Sequence, residues 1–373
     1  MKFRHDVDAR NWRSLVGDLR ELDRNSLGCD MRLLVIGSLT TCLTLVACDS
    51  TKPAEQAAGT QCELHGLQVP VNVVGLTPLV TARINDVKAR LVLDTGAFFS
   101  EISLASAEQY HLEFATTPDP LFAHGIGGTE VLRLLRAKRF ELGPNVFSNI
   151  ELIGIEHRHR LGAVGLLGQS VLGVNDVEYD LANGVIRVFS PPQACKNTSM
   201  AYWAGSQPVV VVDMVGAYRR HWHYAVTKAS INGKSIRVML DTGSEYSLIS
   251  LDAAKRAGLK PGGDGVVPDE DIGGFGPRRV RTWLAPVRSL VIGTEEIRNT
   301  QVRFVDATLD VEDDWDMVLG ADYFLAHHIF VANSQRRLYL THNGGPVFER
   351  SLESAHGTPR PEVGGSDVHP PDE

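Results

Sequence analysis

Short runs of alternating apolar and polar residues, separated by turn-forming residues, occupy most of this chain. Two pairs of runs are joined by a two-residue turn, Asn85-Asp86 in the first half and Asn232-Gly233 in the second. The four runs cover residues 79–84, 87–93, 224–231 and 235–240. Alternation with a period of two is typical of β-strands, and Asn-Gly and Asn-Asp suit tight hairpins. The pattern therefore predicts one β-hairpin in each half of the chain.

Further short runs extend this prediction along the chain. Strands are expected at residues 137–142, 185–189, 289–292 and 337–340. Ala, Glu and Lys take the place of β-branched residues at 104–110 and 251–257, which predicts two short helices. Many short strands with turn signals between them favour an all-β architecture, with a β-barrel in each half.

Both predicted hairpins end in the tripeptide Asp-Thr-Gly, at residues 94–96 and 241–243, so the two copies lie 147 residues apart. The flanking sequence keeps nearly the same spacing. Matched positions are Ser100 with Ser247, Ile126-Gly127-Gly128 with Ile272-Gly273-Gly274, and Leu167-Gly168 with Leu319-Gly320. Similarity at a fixed offset is the signature of duplicated structural units. Two units with so large an offset indicate paired domains.

Composition agrees with a globular protein of about two domains: 373 residues, 43% hydrophobic and 22% charged. The net charge is −8, and the sequence contains no basic block. A nucleic-acid-binding protein carries a basic footprint. We therefore expect no nucleic-acid partner.

The N-terminal region resembles a lipoprotein signal. Met31-Arg32 precedes an uncharged stretch at 33–47, and Leu45-Val46-Ala47-Cys48 resembles the bacterial lipobox, in which the cysteine is acylated. The alternative is a short membrane anchor, but about 15 apolar residues fall short of the roughly 20 that span a bilayer. Asp49 resembles an inner-membrane retention signal. The expected location is thus the cell envelope, where a lipid anchor would hold the protein at the inner membrane, facing the periplasm.

Two cysteines, Cys62 and Cys195, would remain in the exported body and bracket the first repeat unit. An oxidising compartment permits a disulfide between them. The alternative is two free thiols.

The two turns resemble those of the retropepsin-like and pepsin-like aspartic proteases. The hallmark of these families is the motif hydrophobic-hydrophobic-Asp-Thr-Gly-[Ala/Ser]-x-x-Ser, and both turns fit it. The family's later hydrophobic-hydrophobic-Gly element resembles residues 166–168 and 318–320. The resemblance covers about residues 79–341. It implies two homologous acid-protease-type β-barrel lobes related by a pseudo-twofold axis, on one chain that works as a monomer with an internal pseudo-dimer. It also implies a peptide or protein substrate, with no cofactor and no metal.

With this resemblance, the expected organisation of the chain is an upstream segment and signal peptide at 1–48, a tether at 49–62, a first lobe at 63–192, a linker at 193–208, a second lobe at 209–342 and a disordered tail at 343–373.

The expected catalytic residues are Asp94 and Asp241. Hydrolysing an amide needs a nucleophilic water and a proton for the leaving nitrogen, and two adjacent carboxyls that share one proton supply both. Like charges held close together force that sharing. The sequence therefore predicts an aspartic endopeptidase.

The neighbouring residues are expected to support this pair. Gly96 and Gly243 allow the backbone N–H groups to approach the carboxylates, and by resemblance Thr95 and Thr242 hydrogen-bond across the pseudo-twofold axis. The remaining support residues are Ala97, Ser100, Ser244 and Ser247. Because Ala97 has no hydroxyl whereas Ser244 has one, we expect Ser244 to donate to Asp241 and to favour Asp241 as the ionised partner.

The glycine-rich stretches 126–128 and 272–274 fit flap hairpins that close over an extended substrate. The alternative is ordinary loop glycine. Neither stretch has the tyrosine that pepsin-type flaps carry, which places the chain nearer the retropepsins.

The sequence also contains features that are compatible with other functions. His157 and His159, and likewise His221 and His223, have a spacing compatible with metal ligation, but structural histidines are the preferred interpretation. Gly-Ile-Gly-Gly lacks the βαβ unit of a dinucleotide site. A catalytically silent peptide-binding or envelope-assembly lipoprotein on the same fold remains the alternative function. Catalysis after dimerisation with another chain is made unnecessary by the duplication.

Overall fold

The computed structural model describes residues 62–117, 120–156, 159–190, 195–216, 224–309 and 315–348. The expected signal peptide, Cys48 and nearly all of the tether lie outside the described residues, as do residues 349–373 of the expected tail. In the described part, 21 strands and three short α-helices form the molecule. The all-β prediction is confirmed. None of the helices in this part of the chain is long and apolar enough to cross a membrane.

The first half contributes eleven strands and one α-helix. The strands are β1 Gly66–Val74, β2 Thr77–Ile84, β3 Val87–Leu93, β4 Glu101–Ser103, β5 Glu113–Ala115, β6 Leu121–Gly125, β7 Gly128–Leu142, β8 Asn145–Ile155, β9 Gly165–Leu167, β10 Asp176–Asp180 and β11 Val185–Phe189. The helix is α1 Gln169–Leu172, and 3-10 helices lie at Leu104–Ser106 and Leu181–Asn183.

The second half contributes ten strands and two α-helices. The strands are β12 Val210–Asp213, β13 Val226–Ile231, β14 Lys234–Leu240, β15 Leu248–Ser250, β16 Val267–Ile272, β17 Val280–Ile292, β18 Glu295–Val305, β19 Met317–Leu319, β20 His327–Ala332 and β21 Arg337–His342. The helices are α2 Leu251–Arg256 and α3 Ala321–Ala326.

Both predicted hairpins form, as β2–β3 and β13–β14. In each half the second hairpin strand also pairs in parallel with a three-residue strand, β9 in the first half and β19 in the second. This pairing places the end of the hairpin beside the hydrophobic-hydrophobic-Gly element. The backbone N–H of Asp94 donates to Leu167 O at 3.0 Å, and that of Asp241 donates to Leu319 O at 2.9 Å. The two repeated motifs are therefore neighbours in each half.

The closing strands of the two halves join into one sheet, in the order β12-β21-β20-β10-β11-β1. Its central pairing is between halves, because β10 lies antiparallel to β20 with Val177 opposite Val331. One hydrophobic core runs through both halves as well. The lobes are therefore fused along their closing strands.

The expected linker packs closely against this shared sheet. Met200 is fully buried, and the Trp203 ring stacks on the His328 ring with centroids 4.1 Å apart. A disulfide joins Cys62 and Cys195, whose Cα atoms are 4.8 Å apart. It fixes the start of the first lobe to the linker.

Two local predictions differ from the structure. The expected helix at 104–110 is a single 3-10 turn, since the chain turns back at His111, which has a φ of +49°, and Tyr110 is buried. The body also extends beyond 342 into the expected tail. Val347 and Phe348 are buried in the main core, so the tail cannot begin before 349.

Candidate active site

The two Asp-Thr-Gly turns face each other between the halves. A Cβ atom added to Gly96 would overlap the carboxyl group of Asp241, and one added to Gly243 would overlap that of Asp94. Only glycine allows each turn to approach the opposite carboxyl so closely. Both aspartates are partly exposed. Each carboxyl thus lies against the turn that carries the other, so the structure brings the two predicted residues into one site.

The threonines of the two turns form a reciprocal set of hydrogen bonds. The Thr95 hydroxyl donates to Leu240 O at 2.9 Å and accepts from the backbone N–H of Thr242 at 2.9 Å. The Thr242 hydroxyl donates to Leu93 O at 2.7 Å and accepts from the backbone N–H of Thr95 at 3.1 Å. Both threonines are buried. Both hydroxyls and both backbone N–H groups in this crossing are paired, which holds the two turns in a fixed relation.

The repeated serines and glycines hold each turn against its neighbouring loop. Ser100 Oγ accepts from the N–H of Gly168 at 3.1 Å, and Ser247 Oγ accepts from the N–H of Gly320 at 2.9 Å. Ser247 Oγ also donates to Asp322 at 2.7 Å. The two halves therefore use the same serine-to-glycine contact. Sequence reasoning missed Asp322, although it lies only two residues after the glycine of the repeated Leu-Gly element.

The two carboxyls have unequal surroundings. Asp94 Oδ1 accepts from the N–H groups of Gly96 and Ala97, both at 2.9 Å, and Asp241 Oδ1 accepts from the N–H of Gly243 at 2.9 Å. Burial raises the pKa of both aspartates, and the charge of Asp241 raises the pKa of Asp94 further. Burial and like charge together favour one proton on the pair, which titrates as a unit.

The contact predicted for the Ser244 side chain is wrong. The Ser244 hydroxyl donates to Tyr246 O at 2.7 Å instead of to Asp241. The hydroxyl at this position therefore stabilises the turn and gives no reason to favour Asp241 as the ionised partner.

Two glycine-rich hairpin tips meet across the halves. Hairpin β6–β7 turns at residues 126–127, and the N–H of Gly127 donates to Phe275 O at 2.9 Å in the turn between β16 and β17. The N–H of Arg278 donates back to Gly127 O at 3.0 Å. A Cβ atom on Gly274 would overlap the side chain of Ile126. Of the residues predicted here, Ile126, Gly127 and Gly274 lie at the contact, Gly128 flanks it, and Ile272 packs with Phe98 in an apolar cluster of the second half.

A third carboxyl lies close to the aspartate pair. Glu101, on β4, is only 2% exposed, and its Oε2 has no hydrogen-bond partner among the described residues. Burial raises the pKa of Glu101 well above its ordinary value, and the charges of Asp94 and Glu130 act in the same direction. Sequence reasoning missed this residue. The repeat could have revealed it, since the position 147 residues later is Leu248.

The described residues contain one cluster of metal-ligating groups, Glu178, Asp180 and His328, with ligand atoms within 4.8 Å of one another. It lies in the shared sheet, away from the turns. Glu178 accepts from Arg187, Tyr202 and His328, so its oxygens are occupied by an ion-pair network between the halves. His159 lies in the described chain, whereas His157, His221 and His223 lie outside it.

Comparison with known proteins agrees with this geometry. The profile of the aspartyl protease family matches residues 80–174 and 227–323, which together make up just over half of the chain. Each match contains one Asp-Thr-Gly turn. None of the curated proteins matches the sequence. Among solved structures, the aspartic proteinase from Irpex lacteus is similar, with 14% sequence identity, a TM-score of 0.49, and coverage of 74% of this chain and 97% of that one. The two profile matches, one in each half, place this chain in the aspartyl protease family as a two-lobed member.

Proposed function

We propose that the protein is an aspartic endopeptidase in which Asp94 and Asp241 together activate water for hydrolysis of a peptide bond. The observation that carries the proposal is the close approach of each carboxyl to the opposite Asp-Thr-Gly turn at the junction of the halves. A binding surface gains nothing from crowding two carboxyls whose mutual repulsion raises a pKa. A hydrolase needs that crowding, because it leaves one proton on the pair.

We assign the two residues different roles. Asp241, as the carboxylate of the pair, takes a proton from the attacking water. Asp94 holds the shared proton and gives a hydrogen bond to the carbonyl oxygen of the scissile peptide bond as negative charge develops there. The titration belongs to the pair, since each charge depends on the other.

The meeting hairpin tips support an extended peptide as the substrate. The backbone N–H of Gly127 donates to Phe275 O, and the carbonyl of Gly127 accepts from the N–H of Arg278. Backbone groups of this kind bind an extended peptide as an added strand, and a hairpin pair can open to admit it. We propose that both hairpins act as flaps.

The test compares four purified proteins on a peptide library: the full-length wild type, Asp94→Asn, Asp241→Asn and the control Asp252→Asn. Asp252 lies on α2 with 82% of its side chain exposed. The control therefore makes the same substitution at a carboxylate on the surface. We expect cleavage by the wild type and the control, inhibition of both by pepstatin, and loss of cleavage by at least about a thousandfold in the two other variants.

Equal cleavage by an Asp94→Asn/Asp241→Asn double variant would reject the assignment. Peptide binding by a wild type that cleaves nothing across the pH range would favour the catalytically silent binding protein instead.

We also propose that Cys48 carries a lipid that anchors the protein to the envelope, facing the periplasm. The support is the sequence 45–48 alone, which lies outside the described residues. Labelling cells with an alkyne-bearing fatty acid should tag the wild type and leave Cys48→Ala untagged. Equal labelling of the two proteins would exclude this site.

A further inference from the structure

Two buried polar side chains lie on the face of β4 that is turned away from the first-half core. Ser100 and Ile102 point to the core side, so Glu101 and Ser103 point to the other. Both are 2% exposed. Glu101 Oε2 and Ser103 Oγ lack a hydrogen-bond partner in the part of the chain that the structure describes. Two such atoms on one strand face are unusual, because buried polar groups are nearly always paired.

This face borders an apolar region to which residues of both halves contribute. Ile153 and Ile155 lie beside Glu101 and Ser103 in register, on the same side of the sheet. The two isoleucines belong to a cluster with Ala123, Leu132 and Leu134 from the first hairpin, against which Phe275 from the second hairpin packs. Residues from both hairpins therefore lie against the cluster beside Glu101.

The charge in this region is negative. Asp94 and Glu130 both act on the pKa of Glu101 in the direction expected of nearby anions. Glu130 lies on β7, opposite Ala123 in the hairpin that covers the pair. An apolar wall that ends in clustered carboxyls complements one kind of side chain, an aliphatic stem with a cationic head.

The second half has a different wall at the equivalent place. Leu248 takes the position of Glu101, in a cluster with Tyr224, Met239 and Trp315. Phe98 from the first half packs against that cluster, as Phe275 packs against the first. The two sides of the cleft are therefore related by the duplication but differ in charge.

We propose that Glu101 is a specificity-determining residue that binds a lysine or arginine side chain of the substrate, while the Leu248 side binds an apolar one. The inference rests on the proposed peptidase function. The cation gives the orphan Glu101 Oε2 a charged donor, and Ser103 Oγ accepts a second N–H from the same head. The stem lies along Ile153 and Leu132. Without a cation, a buried carboxylate in this position is unfavourable, which accounts for the direction of its pKa shift.

The test uses peptides that differ only in lysine or norleucine at one position, scanned along a sequence that the library shows to be cleaved. Norleucine keeps most of the stem and removes the charge. We expect the wild type to prefer the lysine peptide by roughly tenfold or more in kcat/KM at one position, as a buried charged contact allows. The ratio should fall to about one in Glu101→Gln and below one in Glu101→Leu, which copies the second half. The control Glu113→Gln, whose side chain is 59% exposed, should keep the wild-type ratio.

A purely structural Glu101 would change kcat/KM for both peptides by one factor and leave their ratio intact, which would overturn the proposal. A wild type that treats the two peptides alike at every position would overturn it too. Binding of the same peptides to Asp241→Asn, measured by fluorescence anisotropy, separates this failure from failure of the peptidase assignment. Tighter binding of the lysine peptide that disappears on adding Glu101→Leu supports the pocket even if no cleavage is found, and equal binding rejects it.

Discussion

At the scale of single residues, Gly96 shows how tightly the site is built. Its N–H donates to Asp94, while a side chain in its place would overlap the carboxyl of Asp241. Gly96→Ala must therefore push the two carboxyls out of contact. Displacement of a reacting group by about 1 Å costs on the order of a hundredfold in rate. We expect at least that loss in kcat/KM on a cleaved peptide.

The matched control for this substitution is Gly216→Ala, since a Cβ there would meet nothing nearer than the end of Arg336 at 3.9 Å. It should leave kcat/KM within about twofold. Thermal unfolding of both variants shows whether each is folded. A folded Gly96→Ala with wild-type activity would contradict the assigned geometry.

At the scale of structural elements, the junction of α3 with the second turn has a pH-dependent stability. Asp322, the second residue of α3, is buried, and burial raises its pKa from 3.8 to about 6 against the opposing hydrogen bonds from Ser247. An acid with a raised pKa in the folded state keeps its proton there while the unfolded chain releases it. Stability is therefore unaffected below the unfolded value, falls as pH rises between 3.8 and about 6, and stays lower above that.

The shift corresponds to about 3 kcal/mol of unfolding free energy. Asp322→Asn removes the titration, so the wild type should lose about that much stability relative to this variant between about pH 3.5 and 7. Urea unfolding at the two pH values measures the difference. The exposed Asp252→Asn should show no such change, and a constant difference between wild type and Asp322→Asn would refute the prediction.

Elements whose partners lie close in sequence could be predicted, and those whose partners lie far away could not. The hairpins β2–β3 and β13–β14 follow from alternation and a two-residue turn, and β11 matches its predicted bounds. The pairing of β10 with β20 joins residues about 150 positions apart, and no local pattern encodes it. The helix expected at 104–110 failed because seven residues of helix-favouring composition are too few to resist the turn at His111.

In the candidate site, too, some residues could be predicted from the sequence and others could not. Asp94 and Asp241 could be found because their motif is repeated, and the structure brings them together. The role of the Ser244 hydroxyl could not, since it depends on which of several nearby acceptors the turn presents. Glu101 was hidden by its ordinary appearance in the sequence. Its importance comes from burial beside Asp94, which only the fold creates.

At the scale of the whole molecule, the threonine crossing and the shared sheet make the two halves one cooperative unit. Thr95 and Thr242 exchange hydrogen bonds between halves, and β10 pairs with β20. If neither half can open without breaking these contacts, the slowest-exchanging amides of β3 and β14 should report the same opening free energy. Hydrogen exchange followed by mass spectrometry measures both strands in one sample.

Thr95→Val tests this expectation, because it keeps the side-chain shape and removes a hydroxyl. That hydroxyl donates to Leu240 O and accepts from the N–H of Thr242, both in the other half. Leaving those buried groups unpaired costs about 1–3 kcal/mol. In a cooperative molecule that loss lowers the opening free energy of β3 and β14 equally, although the substitution lies in the first half alone. Thr198→Val, at an exposed position, should change neither strand. A loss confined to one half would show instead that the lobes open independently, and that the contact between the carboxyls is made and broken with each opening.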